Sequence, residues 1–456
     1  MTPARRRILV ATVDTLTAKM AGPAIRAWHI ASALAAEHDV ELVTTSSCDV
    51  TDPGFRARSV TGDELEAAVA WCDVVLFQGF LANRHPFLLA SDKVVITDIY
   101  DPIHLETLEQ SRDHPPTARR DSVDAATTVL NEQLLRGDFF ICASEKQRDF
   151  WLGQLAALGR INPLTYDEDE TLVSLIDVVP FGIAETAPVH TRPAVKGVVP
   201  GIGPDDKVLL WAGGLYNWFD PLTLIRAVDK LRTRVPEVRL LFMGLRHPNP
   251  EVPEMRIVSA ARQLADELGL IGRHVFFNED WVAYEDRQNY LLEADVGVST
   301  HLDHVETAFS FRTRILDYVW AALPIVATGG DAFASLIDSR GLGVTVPPGD
   351  VDALEAALFR VVSDADFARA CRSNLANVAP EFLWSRALRP LMEFCRRPRR
   401  APDLVDADWA RRLRWQLGVA TPPHRSVRSD LRGVGRALRE GGPRLLVARA
   451  RARLRH

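Results

Sequence analysis

Short apolar, strand-like runs alternate with amphipathic helical runs from residue 7 to about residue 380, and this alternation constrains the fold of the chain more than any other feature. Arg7-Ile-Leu-Val-Ala-Thr12 reads as a first strand, and residues 40–44, 74–77, 94–97 and 139–142 repeat the pattern. Between the first two, residues 24–37 read as a helix, because Ala24, Ala27, Trp28, Ala31, Leu34 and Ala35 keep a 3.6-residue period along one face. The pattern pauses at Asp177-Val-Val-Pro-Phe-Gly-Ile183, and the Pro- and Gly-containing stretch 188–204 reads as an interdomain linker. It resumes at 207–212, 239–244, 275–277, 296–299, 325–327 and 343–346. Strands alternating with helices in this way build doubly wound parallel sheets. The expected architecture is therefore α/β, with two Rossmann-like domains of similar size facing across a cleft. The expected boundaries are 1–184 and 185–380, then a closing segment 381–400 that returns to the first domain, then a basic extension 401–456.

At 456 residues the chain can bury two or three cores, and its 47% hydrophobic and 25% charged content is that of an ordinary globular protein. No apolar stretch reaches the ~18 residues of a membrane span. The basic Met-Thr-Pro-Ala-Arg5-Arg6-Arg7 start is followed by too short an apolar run for a signal-peptide core, so the expected location is cytoplasmic. Cys48, Cys72, Cys142, Cys371 and Cys395 are scattered without CxxC spacing, which argues for reduced thiols rather than a disulfide framework or a zinc site. The net charge of −6 hides an asymmetry: arginines dominate after residue 421, so the body is clearly acidic. An acidic body does not suit nucleic acid. The arginine tail, with Val427, Leu431, Val434 and Leu438 interleaved, suits either an anionic membrane at its cytoplasmic face or a solvated end rich in Gly and Pro.

The chemistry is densest in Glu306-Thr-Ala-Phe-Ser310-Phe311-Arg312-Thr-Arg314-Ile-Leu-Asp317-Tyr-Val-Trp-Ala-Ala-Leu-Pro324-Ile-Val-Ala-Thr. Two carboxylates and two arginines run from a loop into a helix, at the carboxyl edge of the sheet where such folds bind ligands. Arg312 and Arg314 suit bidentate bonds to phosphate, and Asp317 can accept two hydroxyl hydrogen bonds, as from a ribose. Trp211-Ala-Gly213-Gly214-Leu-Tyr216-Asn217-Trp218-Phe219-Asp220 follows a strand, and its paired glycines let a diphosphate approach the backbone. Gly22, between the first strand and helix, offers a similar but weaker signal. Arg246 at a strand end and Trp281 in Asn278-Glu-Asp280-Trp281 lie where topology would put a nucleobase. In Asp98-Ile-Tyr-Asp101-Pro-Ile-His104-Leu-Glu106, clustered acids suit acceptor binding or proton transfer at Asp101, and helix capping is the bland alternative. A metal set of Asp98, Asp101 and His104 lacks a second histidine at ligand spacing, so no metal is expected. Ser144 and Gln147 read as a structural capping box.

Together these segments resemble the retaining glycosyltransferases of family 4, glycosyltransferase group 1, over roughly residues 7–397. That family has the GT-B fold. Its Glu-x7-Glu motif precedes an Ala-Gly-x-Pro-Val turn, and Asp317, seven residues before Pro324, matches the second, ribose-binding carboxylate. Glu306 matches the first, sugar-contacting glutamate, although ten residues separate it from Asp317. Val179-Pro180-Phe-Gly182 resembles the family's linker motif. Three departures stand out: no Arg/Lys clamp pair after Gly213-Gly214, no cleft histidine where Asp98, Tyr100 and Asp101 stand, and Asp rather than Glu at 317. The Ser310-to-Tyr318 pattern is similar to a subgroup tied to bacterial surface polysaccharides. The resemblance implies hexosyl transfer, with retention, from a nucleotide diphosphate-sugar to a glycan or lipid-linked hydroxyl. It also implies no bound cofactor beyond that co-substrate. Arg312 and Arg314 would meet the leaving diphosphate and Glu306 the developing cation at the sugar. Two other readings stay open: a sugar-nucleotide 2-epimerase of the same fold, and a degenerate transferase serving as a binding subunit.

Overall fold

The computed structural model describes residues 5–250, 252 and 254–416. The strands are β1 (Arg7–Thr12), β2 (Asp39–Thr44), β3 (Arg56–Ser59), β4 (Val74–Gln78), β5 (Val94–Asp98), β6 (Phe139–Cys142), β7 (Ile176–Val178), β8 (Lys207–Trp211), β9 (Val238–Phe242), β10 (Val275–Phe277), β11 (Val296–Ser299), β12 (Ile325–Thr328) and β13 (Gly343–Val346). They form a seven-stranded sheet in the order β3-β2-β1-β4-β5-β6-β7 and a six-stranded sheet in the order β10-β9-β8-β11-β12-β13. Every strand pair is parallel. The two α/β layers are therefore the doubly wound sheets that the alternation predicts. Strand order reverses beside β1 in the first sheet and beside β8 in the second. Those switch points open the crevices where open α/β sheets take ligands.

Two strands escape the sequence pattern. β3 is the short polar run Arg-Ala-Arg-Ser at a sheet edge, where no apolar alternation is required. β7 overlaps the stretch 177–183 where the alternation pauses; its Ile176 is fully buried and pairs with Phe140.

The chain returns to the first sheet's layer after residue 382. Ile183 N–H donates to Phe382 O at 2.8 Å, and Trp384 N–H donates to Ile183 O at 3.1 Å. A Cβ on Gly182 would lie 2.7 Å from Trp384, so this contact requires glycine. Helix Arg389–Arg396 then stacks Phe394 on Phe139 at 4.2 Å, and Arg396 pairs with Glu37 at 2.7 Å. Contacts divide the chain after Pro402; of the second unit the structure describes helix Ala407–Gln416. The arginine tail beyond 421 lies outside the described residues. Among the described residues no helix is long and apolar enough to cross a membrane.

Helix Thr313–Trp320 is pinned beneath β8 and β11 by Tyr318. Its hydroxyl accepts from Ala212 N–H at 3.1 Å and has Leu210 O and Val298 O at 2.9 and 2.8 Å to donate to. Gly297 makes room: a Cβ there would meet the Tyr318 ring at 2.5 Å. The helix ends on Ala322, which holds φ +49, a left-handed conformation that costs a residue with a Cβ about 1 kcal/mol. Part of a glycine's advantage there is lost to its greater freedom when unfolded. Ala322→Gly is therefore expected to stabilise the protein by about 0.5 kcal/mol, read as a rise in its thermal midpoint; a fall would show that the turn is not strained.

Candidate active site

The carboxyl edges of both sheets meet at a cleft with a volume of about 400 Å³, within the range of small-molecule sites. From the second sheet come Gly213 and Gly214 after β8, and Ser310, Phe311, Arg312, Arg314 and Asp317 between β11 and β12. From the first come Gly22 after β1 and Asp101 after β5. Trp281 lines it as well. Gly213 takes φ +86, a conformation suited to glycine, which turns the loop sharply at the end of β8. At Gly214 a Cβ would come within 3.0 Å of Tyr216 and 3.2 Å of Trp281, so the backbone lies open to the cleft between two rings.

Arg314 is the best-aimed cation. Its guanidinium stacks 4.2 Å from the Trp211 ring centroid and 4.1 Å from that of Phe219, and Nη2 donates to Gly214 O at 2.9 Å. Nη1 has no partner although the residue is only 7% exposed. Burial pulls its pKa down to about 10, which leaves it charged at neutral pH. Arg312 and Arg314 bracket the start of helix Thr313–Trp320, whose first-turn N–H groups and dipole add to the positive field.

Three expected site residues are placed differently. Glu306 is 1% exposed and is not on the cleft wall. Both its oxygens accept from Arg312, at 3.0 and 2.7 Å, because a break between helices Val305–Phe309 and Thr313–Trp320 folds residue 306 behind residue 312. Asn217 is off the wall too: its Oδ1 accepts from Ile257 N–H at 3.2 Å and ties down the start of helix Arg256–Glu267. Arg246 lines a smaller adjoining pocket of about 120 Å³ with His247, Arg262 and Trp281, and lies 4.0 Å from Asp280.

The structure adds groups that the sequence pattern did not mark. Arg287, at the start of helix Arg287–Glu293, lines the cleft and donates Nε–H to Asp317 Oδ1 at 3.0 Å, lying over the rings of Tyr284 and Trp320. No local motif flags it, since its role arises only when that helix packs beside Asp317. Glu106 also lines the cleft, in the first turn of helix Ile103–Gln110, and its carboxyl is hydrogen-bonded to Asp101. Burial raises both carboxyls, and each is raised further by nearby Glu306, so the pair retains a proton near neutral pH. The neighbouring Asp98 is committed to Arg26, at 2.6 and 3.0 Å, and among the described residues no three His, Cys, Asp or Glu side chains are grouped to hold a metal ion. Gln147 completes only part of the expected capping box: Ser144 Oγ accepts its N–H at 3.2 Å, while its Nε2 donates to Tyr100 O and Phe309 O, linking the two layers. Three more cross-layer bonds close the cleft's flank. Trp281 Nε1 donates to Met20 O at 3.0 Å, Tyr284 N–H to Ala18 O at 2.9 Å, and Asn249 Nδ2 to Asp14 Oδ1 at 2.9 Å.

Residues 206–364, which hold β8 to β13 and the arginine-bearing wall, match the family model described as glycosyl transferases group 1. That part of the chain is similar to the glycosyltransferase group 1 domain. The chain's fold is that of GT-B glycosyltransferases. Sucrose-phosphate synthase from Thermosynechococcus elongatus superposes with a TM-score of 0.62 at 16% identity, covering 86% of this chain and 98% of that one. WaaG, a glycosyltransferase involved in lipopolysaccharide biosynthesis, gives 0.59 at 15% identity, covering 85% and 99%. Anabaena HepE in complex with UDP and glucose gives 0.58 at 13% identity, covering 85% and 99%. No curated protein sequence matches the chain.

The proton on the carboxyl pair has a measurable consequence. Burial raises Glu106 in the folded state above its unfolded value, so the folded form binds more protons and loses stability as pH rises past that unfolded value. Glu106→Gln removes this loss. The thermal midpoint of the variant relative to wild type is expected to climb between about pH 5 and pH 8; a difference independent of pH would show that the carboxyl is not raised.

Proposed function

We propose that this protein transfers a sugar from a nucleoside diphosphate-sugar to a hydroxyl acceptor. The observation that carries this reading is Arg314: a buried guanidinium with an unpartnered nitrogen, on a cleft wall beside Gly213, Gly214 and a helix N-terminus. A diphosphate supplies the negative oxygens that such a site is built to meet. Arg314, Arg312 and the Gly213–Gly214 backbone take the leaving group, and Asp317, oriented by Arg287, takes the ribose hydroxyls. Charge on the bridging oxygen grows as the bond from the anomeric carbon breaks, so these donors act most strongly in the transition state. Glu306 acts through Arg312, fixing its guanidinium plane. The new bond runs from the acceptor oxygen to the anomeric carbon, and the acceptor proton leaves to a diphosphate oxygen.

The finer assignments rest on likeness. Retention and hexosyl transfer follow the family resemblance. HepE, solved with UDP and glucose, makes a uridine donor the first to try. WaaG's part in lipopolysaccharide biosynthesis supports a glycan or lipid-linked acceptor and a place in surface-glycan synthesis. The arginine tail would then hold the protein at the inner face of an anionic membrane. The second sheet's layer (185–380) would hold the donor by its nucleotide, and the first (1–184) would take mainly the acceptor. No resident cofactor, metal or nucleic acid enters this reading.

Calorimetric titration with UDP, GDP, dTDP and ADP tests it. One diphosphate should bind wild type, and Arg314→Ala should weaken it about 30-fold, the effect of losing a charge-assisted contact of roughly 2 kcal/mol. Unchanged affinity in the variant, or no binding of any nucleotide to folded protein, would overturn the assignment. Glu306→Gln leaves Arg312 without its counter-charge, so diphosphate affinity and donor turnover should both fall; both unchanged in a folded variant would show that the pair does not position Arg312.

A further inference from the structure

Holding a diphosphate leaves Asp14, Asp101 and Glu106 unused on the cleft wall, and Asp14 Oδ1 already accepts from Asn249 Nδ2 at 2.9 Å. Asp101 follows β5, and Glu106 lies one helical turn on, where Ile103 N–H donates to Asp101 O at 2.8 Å and starts the helix. The two carboxyls are hydrogen-bonded to each other. The charged and titratable groups facing the pair are Glu306 and Arg312 from the second layer, Asp98 with its partner Arg26, Tyr100, and Tyr216, itself sensitive to both acids. Arg312 is already held by both oxygens of Glu306.

A second observation points to a ligand in the cleft that this pair lines. Arg314 Nη1 and Arg312 Nε are both unpartnered, on residues 7% and 5% exposed, and both residues line the same cleft. The cleft is thus polarised, with guanidinium groups on the second-layer side and a proton-sharing carboxyl pair on the first. A nucleoside diphosphate-sugar has the matching split, with its charge on the phosphates and its hydroxyls on the sugar.

We infer that the Asp101–Glu106 pair selects the glycosyl group, admitting an uncharged, hydroxyl-bearing sugar and rejecting a uronate. This rests on reading the cleft as a nucleoside diphosphate-sugar site. Sugar hydroxyls can donate to the carboxyl oxygens of Asp101 and Glu106 that their mutual hydrogen bond leaves free. A sugar carboxylate would instead be buried against two acids, and the Arg312 guanidinium facing them is already held by both oxygens of Glu306.

The test is calorimetric binding of UDP, UDP-glucose and UDP-glucuronate, repeated with GDP, GDP-mannose and GDP-mannuronate. It is run on wild type, Asp101→Asn, Glu106→Gln and the double variant, each checked for a cooperative thermal transition. In wild type the uronate donor should bind at least about tenfold more weakly than the neutral one. In the variants that gap should shrink, while the free diphosphate binds within about twofold of wild type. Equal binding of both sugars by wild type overturns the inference, as does an unchanged gap in a folded variant. Loss of diphosphate binding in a folded variant overturns it too, by moving the pair to the nucleotide end. If neither UDP nor GDP binds wild type, it is the reading of the cleft that fails, and the inference falls with it.

Discussion

The buried ion pair between Glu306 and Arg312 is the interaction on which the cleft depends. Taking both charges out of water costs several kcal/mol per ion, and only a well-made pair offsets it. The bidentate geometry, at 3.0 and 2.7 Å, is of that kind. It ties helix Val305–Phe309 to the start of helix Thr313–Trp320 across the turn at Ser310 and Phe311, and so sets where the second helix begins. Everything used on that wall follows from this start: the first-turn N–H groups, the rise of Arg314 toward Gly214, and Asp317 one turn further on. Tyr318 then locks the helix to β8 and β11, so the wall is held from both ends.

With that wall rigid, charge is sorted across the cleft. The second layer offers Arg312, Arg314 and Arg287, the first two each with an unpartnered nitrogen, whereas the first offers the hydrogen-bonded acids Asp101 and Glu106. Direct bonds from Gln147, Trp281 and Tyr284 join the layers on both flanks, which brings the carboxyl pair into electrostatic reach of Arg312 and Glu306. Recognition by such a site depends on how charge is distributed along the ligand, because cations and acids are not free to exchange places.

Much of the fold was legible because parallel sheets buried on both faces need continuous apolar strands, and β1, β8 and β9 show them plainly. β3 was not, because an edge strand of Arg-Ala-Arg-Ser carries no apolar signal, and β7 was hidden by the proline and glycine that follow it. The site was legible where it is local: Gly213-Gly214, Arg312, Arg314 and Asp317 sit in short segments whose chemistry survives without coordinates. Glu306 shows the limit. Its residue type and position before the helix suggested a wall residue, but nothing in a linear spacing of six tells that its carboxylate folds back onto Arg312. Arg287 and the Asp101–Glu106 bond are products of packing between distant elements, and Asn217 was misplaced because its loop turns it toward helix Arg256–Glu267.

The most direct measurement is a crystal structure of the protein soaked with the nucleoside diphosphate that binds it. The account predicts phosphate density within hydrogen-bonding distance of Arg314 Nη1 and of the Gly213–Gly214 backbone, with the Glu306–Arg312 pair intact behind it. Phosphate density elsewhere, with Arg314 Nη1 still unpartnered, would contradict the assignment of this cleft as the donor site.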